Sequence, residues 1–351
     1  MSILNSSSST TEGVVPFYLD HAHVKGRLIR LGPLVETLLA RHKYPDLVNH
    51  YIAELIALAA ALSIDVKHEG IFTLQISAQP DHKGPIRLIT VDINTQGHVR
   101  AYAQLDSEAF QQTINSSLSL RDIFGQGFMV FTADLAHQSE RYQAIVELTG
   151  RTLADSMHHF FRQSDQIPTG LILFSRPLAE PTSVRQVQGA YGAQERNVHG
   201  VHEHPSTGET QQLSAGGRLC KRSSQSVAPA NQLTAGALIL QRIPLEIGST
   251  LEQKEQDEDD WITNLSLLGT LTKQELLDKN LSSEQLLHRL FHERKLHVLE
   301  SKPLQAQCSC SKDRIEKVIN NFPPEDRLEM AVNGEIKVVC EFCNTEYVVV
   351  A

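Results

Sequence analysis

The period at which apolar residues recur changes several times along the chain, and each change marks an element. Between Pro45 and Leu62, residues Leu47, Val48, Ile52, Leu55, Ile56, Leu58, Ala59 and Leu62 recur at helical spacing, which predicts a long buried helix. The period then drops to two. Ile71 to Ala78, Pro85 to Ile93 and Gly97 to Gln104 read as strands. The turn chemistry of Asp81-His82-Lys83-Gly84 and Asn94-Thr95-Gln96-Gly97 between them predicts an antiparallel meander. Strands over Phe128 to Asp134 and Arg141 to Leu148 come next. A helix over Thr152 to Ser164 follows, with Leu153, Met157, Phe160 and Phe161 on one face. Leu171 to Phe174 and Ala237 to Ile243 have the unbroken apolar character of buried strands.

From residue 184 to 232 the chain is rich in Gly, Ser, Gln and His and cannot supply a packed core, so it reads as a long mobile insertion between two strands of one sheet. After Pro244 the character changes. Six carboxylates between Glu252 and Asp260 predict a solvated stretch. Two short amphipathic helices follow it. Trp261, Ile262, Leu265 and Leu268 keep helical spacing, as do Leu286, Leu287, Leu290 and Phe291, with Ser282 and Gln285 as a capping box. Neither is long enough to be stable alone in water, so each must dock on a folded surface. In the last segment Ile315, Val318, Ile319 and Phe322 form a helix face, and Asn333-Gly334 turns into a strand over Ile336 to Cys340 that can pair with Tyr347 to Val350. These patterns predict an α+β protein. Residues 1–14 form a leader without order, 15–245 a mixed α/β domain with an antiparallel sheet, 246–302 a helical linker, and 303–351 a small cysteine domain. A domain of about 50 residues needs a staple.

Composition narrows the function classes. Of 351 residues, 41% are hydrophobic, and the formal charge of −9 argues against a nucleic-acid binder, which needs a clustered basic face. In the last domain Lys312, Arg314, Lys317 and Arg327 are offset by Glu316, Glu325, Asp326 and Glu329. No run of eighteen apolar residues predicts a membrane span, and no Gly-rich phosphate loop predicts a nucleotide. The Ser-rich N-terminus lacks the order of an export signal, which predicts a cytoplasmic protein.

The cysteines carry the sharpest signal. Four of the five lie in the last 44 residues, as Cys308-Ser309-Cys310 and Cys340-Glu341-Phe342-Cys343. Two pairs about thirty residues apart, in a chain without an export signal, predict a closed tetrahedral site for one zinc ion per chain in the reduced form. Each pair is also close enough in sequence to close locally into a disulfide, and thiolate is the form that oxidants attack. Such a site serves as an inert staple or as a switch, and the cluster alone does not decide which.

The order of segments resembles the redox-regulated holdase chaperones of the thirty-three-kilodalton heat-shock protein family, also called HslO. The carrying residues are Cys308-Ser309-Cys310-Ser311, Asn333-Gly334-Glu335-Ile336 and Cys340-Glu341-Phe342-Cys343. Val24-Lys25-Gly26-Arg27, Gly236-Ala237-Leu238-Ile239-Leu240-Gln241 and Leu290-Phe291-His292-Glu293 support them. The resemblance runs from about residue 15 to 351, outside the insertion. It implies an ATP-independent chaperone rather than an enzyme, inactive while reduced and zinc-bound. Oxidation would form Cys308–Cys310 and Cys340–Cys343 disulfides, expel the metal and unfold the linker. Unfolding client proteins would be captured, and the active form would be a homodimer. The stripe Trp261, Ile262, Leu265, Leu268, Leu286, Leu290 and Phe291 would then be exposed to clients. Two features depart from the family pattern: the insertion with its Cys220, and a chain that stops at Ala351 soon after the last cysteine.

Competing readings are weaker. A thiol–disulfide oxidoreductase using Cys340 and Cys343 would want its pair at a helix start, whereas strand residues flank this one. A zinc-ribbon nucleic-acid module lacks the basic footprint. His199, His202 and His204 read as an exposed cluster, Cys220 as an exposed free thiol, and Asp155, His158 and His159 as the polar face of a helix.

Overall fold

The computed structural model describes residues 12–20, 23–63, 70–113, 119–135, 141–163, 167–176, 233–245 and 248–350. Most of the leader, the insertion at 184–232, Cys220 and the histidines 199, 202 and 204 lie outside these residues.

Two sheets, antiparallel but for one short parallel edge pair, form the main body with a helix between them. The first contains β1 (Gly13–Leu19), β2 (Val24–Leu31), β8 (Thr169–Ser175), β9 (Ala235–Arg242), β10 (Leu296–Val298) and β11 (Lys302–Pro303). Its order is β10-β1-β2-β9-β8, with β11 also on β1. The second contains β3 (Gly70–Lys83), β4 (Ile86–Asn94), β5 (His98–Leu105), β6 (Gly125–Leu135), β7 (Tyr142–Glu147) and β12 (Gln305–Ala306), in the order β12-β5-β4-β3-β6-β7. The expected meander is β3, β4 and β5, and the strands flanking the insertion, β8 and β9, pair antiparallel. The first meander turn is tighter than the sequence suggests, because β3 continues through Lys83 and the chain reverses at Gly84-Pro85.

Helix α2 (Asp46–Ser63) lies between the sheets, with Leu55, Ile56, Leu58 and Ala59 fully buried against Ile29, Ile239, Leu74 and Val91. It is long and apolar enough to cross a membrane by length and composition alone. Here that apolarity has another cause, since a helix covered on two sides by sheets needs no polar face. Four shorter helices, α1 (Pro33–Leu39), α3 (Ser107–Thr113), α4 (Leu120–Phe124) and α5 (Leu153–Gln163), complete this part among the described residues. In α5, Leu153, Met157 and Phe161 are buried as expected. His158 is not on a solvated face: its Nε2 lies 3.0 Å from the Leu171 carbonyl of β8, and burial lowers its pKa.

The outer face of the first sheet is covered by α6 (Leu251–Gly269), α7 (Lys273–Leu277) and α8 (Ser283–Phe291). Period-two alternation in β2 sends Ile29 and Leu31 inward to the α2 core and Val24 and Leu28 outward to these helices. Two glycines on that outer face let the layers approach. A Cβ on Gly26 would sit 2.2 Å from the Phe17 ring, and one on Gly236 would sit 2.9 Å from Leu276 of α7. Phe17 in turn packs against Phe291 of α8, with ring centroids 5.8 Å apart and the planes tilted by 31°. Arg30, also outward, donates from Nε to the Leu276 carbonyl at 3.0 Å and from its two terminal nitrogens to the carbonyls of Leu281 and Asp278. Burial lowers its pKa to about 10.

The acidic run departs from expectation. It is the first half of α6, begun by a capping box of Thr250 and Gln253, and two of its carboxylates are buried. Asp257 receives Nε and Nη2 of Arg242, both at 2.6 Å, and lies 3.2 Å from His23; Asp260 receives Arg294 at 2.6 Å. Negative charge here is a docking device, because opposite charges wait at the end of β9 and after α8.

Candidate metal centre

The last domain is small. It comprises α9 (Lys312–Asn320), α10 (Pro324–Met330) and a hairpin of β13 (Glu335–Val339) with β14 (Glu346–Val350). Its buried apolar residues are Ile319, Ile336 and Val349, with Ile315, Ala331 and Val338 partly buried around them. Asn333 and Gly334 both have positive φ, 56° and 79°, as an Asn-Gly hairpin turn requires. Val318 and Phe322, expected on the buried face of α9, are 53% and 42% exposed. A three-residue core leaves them nothing to pack against.

Cys308 and Cys310 follow β12 on the loop that leads into α9, whose N-terminus Ser311 caps by accepting the Arg314 amide at 3.3 Å. Cys340 and Cys343 occupy the tip of the hairpin. There the Cys340 carbonyl accepts the amides of Cys343 and Asn344 at 3.3 and 2.8 Å, and Cys340 N donates to the Thr345 carbonyl at 2.9 Å. Asn344 closes the turn with φ of 56°, a left-handed conformation that Asn tolerates.

All four Sγ atoms lie within 4.8 Å of one another. Sγ of Cys308 is 3.8 Å from that of Cys340, and Sγ of Cys310 is 3.3 Å from that of Cys343. A regular tetrahedron with metal–sulfur bonds of about 2.3 Å has edges of about 3.8 Å. Spacing and donor set therefore fit a divalent, thiophilic ion, and all four cysteines are free and half-buried. The four cysteines singled out in the sequence are brought together at one point.

Hydroxyl groups surround the sulfurs. Tyr347 donates to Cys310 Sγ at 3.1 Å, and Thr345 Oγ1 lies 3.2 Å from Cys343 Sγ. Each hydroxyl favours the thiolate of its cysteine, yet the two sites differ. Burial resists ionisation of Cys343, but hydrogen bonding with the Thr345 hydroxyl and backbone and with the Cys310 and Cys340 sulfurs outweighs it and lowers the pKa to about 7. Burial pushes Cys310 up to about 12. Donors that favour a thiolate also steady it as a metal ligand.

Of the apolar stripe picked out in the linker, Trp261, Leu268, Leu286, Leu290 and Phe291 are buried on the first sheet, and Leu265 is partly buried. Ile262 faces solvent, 53% exposed. One residue is about 100° around a helix, so Ile262 cannot share the face of Trp261, Asn264 and Leu268. Leu287, on the predicted face of α8, is buried with them, and sequence reasoning missed Leu271, Leu276, Leu277 and Leu281, which complete the contact. The Thr272-Lys273-Gln274-Glu275 capping box that starts α7 was the available signal.

Residues 12–193 and 221–350 match the family model described as Hsp33 protein. The chain is 30% identical over 337 residues to a 33 kDa chaperonin of Caulobacter vibrioides, a match covering 95% of this chain and 93% of that one. It is 27% identical over 333 residues to a 33 kDa chaperonin of Pseudomonas fluorescens, covering 94% and 88%. A crystal structure of the 33 kDa chaperonin from Thermotoga maritima superposes with a TM-score of 0.63, covering 97% of this chain and 95% of that chain at 17% identity, a likeness of fold. With a family match over most of its length and a cysteine quartet held at metal-binding distances, the chain belongs to the Hsp33 family.

Proposed function

We propose that this protein is a redox-regulated, ATP-independent holdase, inactive while its four cysteines hold one zinc ion and active after they are oxidised. The observation that carries the reading is the pairing of a metal-ready quartet with a domain whose buried core is Ile319, Ile336 and Val349. Cys308, Cys310, Cys340 and Cys343 would hold the metal, and bound zinc contributes folding energy to such a domain, on the order of 10–16 kcal/mol for small zinc modules.

Within each pair, Cys308–Cys310 and Cys340–Cys343, two thiols give up two electrons and two protons and close an S–S bond. Hydrogen peroxide accepts them and leaves as two waters, or an organic hydroperoxide leaves as an alcohol and one water. Once oxidised, the four sulfurs no longer serve as thiolate ligands, and the small domain has too little buried surface to stay folded. Helices α6 to α8 are joined to that domain by the segment carrying β10, β11 and β12, and its unfolding frees them. Their release exposes Trp261, Leu268, Leu286, Leu290 and Phe291 together with Phe17, Leu28 and Leu240 of the sheet beneath. That apolar surface holds unfolding client proteins, without catalysis or nucleotide, in an oxidised homodimer working in the cytoplasm.

Light scattering of a thermally unfolding client tests this. Suppression by the oxidised protein and none by the reduced, zinc-loaded protein is expected. Equal protection by both forms would leave a constitutive binder and sink the switch.

A further inference from the structure

Resting on the reading that redox state is registered at the two cysteine pairs, we propose that Arg100 of β5 is a latch through which the main body grips both pairs directly, apart from any signal through the linker. Ser309 is the residue enclosed by Cys308 and Cys310, and Glu341 and Phe342 are the residues enclosed by Cys340 and Cys343. Arg100 touches both loops at once. Its Nη1 donates to Ser309 Oγ at 2.8 Å, and its guanidinium lies over the Phe342 ring, 4.1 Å from the centroid. The arginine is itself held in place. Asp92 receives its Nε and Nη2 at 2.8 and 2.6 Å, and Thr73 donates to the other Asp92 oxygen at 2.7 Å. A guanidinium fixed by a carboxylate, with one donor edge and its face left free, is pre-organised for a two-point contact.

Neighbours extend the grip. The Phe342 carbonyl lies 3.2 Å from His42 Nε2, Tyr102 donates to Glu341 at 3.4 Å with its ring 6.0 Å from Phe342, and Asn344 donates to the Arg41 carbonyl at 2.6 Å. Every one of these contacts falls on a residue between two cysteines or directly after one. A sulfur–sulfur bond of about 2.05 Å inside either pair must reshape the one or two residues it encloses. The atoms that Arg100 holds are therefore those that disulfide closure would displace. The interaction surface formed by Arg100 and Tyr102 of β5 with His42 of the loop between α1 and α2 fits the reduced cysteine loops of this same chain and loses them on oxidation.

Hydrogen exchange on the reduced full-length protein, with one zinc per chain verified by metal analysis, tests the latch without relying on chaperone activity. Arg100→Met keeps the aliphatic stem and removes the donors and charge, and Phe342→Leu removes the ring from the other side. Arg100→Met removes both contacts and should raise exchange at amides 308–310 and 340–344 by at least about tenfold, whereas Phe342→Leu removes the cation–π contact alone and should raise it at 340–344 by about threefold or more. The double variant should add little to Arg100→Met, which already removes both contacts. Protection in β3 and β4 serves as the folding control, and Phe342→Leu decides alone if Arg100→Met fails it. Exchange within twofold of the parent in the deciding variants overturns the latch, and does so even if oxidation still switches on client protection. The expected rise in a protein whose oxidised form protects no client keeps the latch and sinks the holdase.

Discussion

The linker helices and the cysteine domain face the same shortage of apolar surface and meet it differently. Helices α6 to α8 pack Trp261, Leu268, Leu276, Leu287 and Phe291 onto a sheet that is already built, so a donor surface completes their core. The cysteine domain has no such donor. It buries Ile319, Ile336 and Val349 among themselves and leaves Leu328 and Val332 70% and 72% exposed. At roughly 1.5–3 kcal/mol for each fully buried large apolar side chain, the first set can hold short helices in place and the second cannot hold about 40 residues against their conformational entropy. One region depends on a surface, the other on chemistry at four sulfurs. A state change that acts on sulfur would therefore act on the cysteine domain first, and would reach the linker through the segment β10 to β12 that joins them.

The largest test of that contrast is removal of the metal ligands. A Cys308→Ser plus Cys343→Ser variant should contain close to no zinc and should lose the fold of residues 308–350, since the missing contribution is on the order of 10 kcal/mol. Hydrogen exchange should show protection lost first at 308–343, then at 261–291, with little change at 71–104. A linker that stays protected after its neighbour unfolds would reduce the cysteine site to a local staple.

Next in size is the apolar contact itself. Phe291 is fully buried beside Phe17. Phe291→Ala should weaken docking by about 3–5 kcal/mol, the range for deleting a buried ring. Trp261, the single tryptophan of the chain, reports it by fluorescence during urea titration. An unchanged midpoint would mean that α8 is held by something other than its apolar face.

These two regions also differ in how much the sequence gives away. The quartet is legible because thiol ligands at short spacing have few other uses, and Cys308, Cys310, Cys340 and Cys343 converge as their spacing implies. Helix α2 and the β3-β4-β5 meander are legible because burial on one or two faces writes a clean period into the sequence. What stays hidden depends on long-range partners. The buried state of Asp257 and Asp260 is decided by Arg242 and Arg294, and an acidic run reads as solvated until those partners are placed. The short strands β10, β11 and β12 have two or three residues each and no period to read. They pair with β1 and β5 only because the chain passes those edges on its way from α8 to Cys308.

A smaller effect of opposite sign is expected at Asn264. This α6 side chain is fully buried, and neither its amide nitrogen nor its carbonyl oxygen has a partner among the described residues. Burying unpaired polar groups costs about 1–3 kcal/mol, so the docked linker carries a built-in weakness. Asn264→Leu should tighten docking by about 1–2 kcal/mol and raise the Trp261 unfolding midpoint. An unchanged or lower midpoint would mean that the amide is satisfied in solution.

The smallest effect separates the two faces of α6. Ile262 has a strong helix-face signature in the sequence but is exposed, while Leu268 on the same helix is fully buried. Ile262→Ser should leave the reduced protein within about 0.5 kcal/mol of the parent, as for surface substitutions, whereas Leu268→Ser should destabilise docking by several-fold more. The pair also bears on client binding. An exposed Ile262 is present in the reduced form, so if one apolar side chain at this position were enough to hold a client, the reduced protein would already suppress aggregation. If capture needs the broad surface beneath the linker, Ile262→Ser should leave both the silence proposed for the reduced form and the activity proposed for the oxidised form nearly intact. Leu268→Ser should then give the reduced form partial activity by loosening the cover. Light scattering with the two variants, each reduced and oxidised, reads all four states, and loss of oxidised activity in Ile262→Ser alone would place the client contact on the outer face of α6.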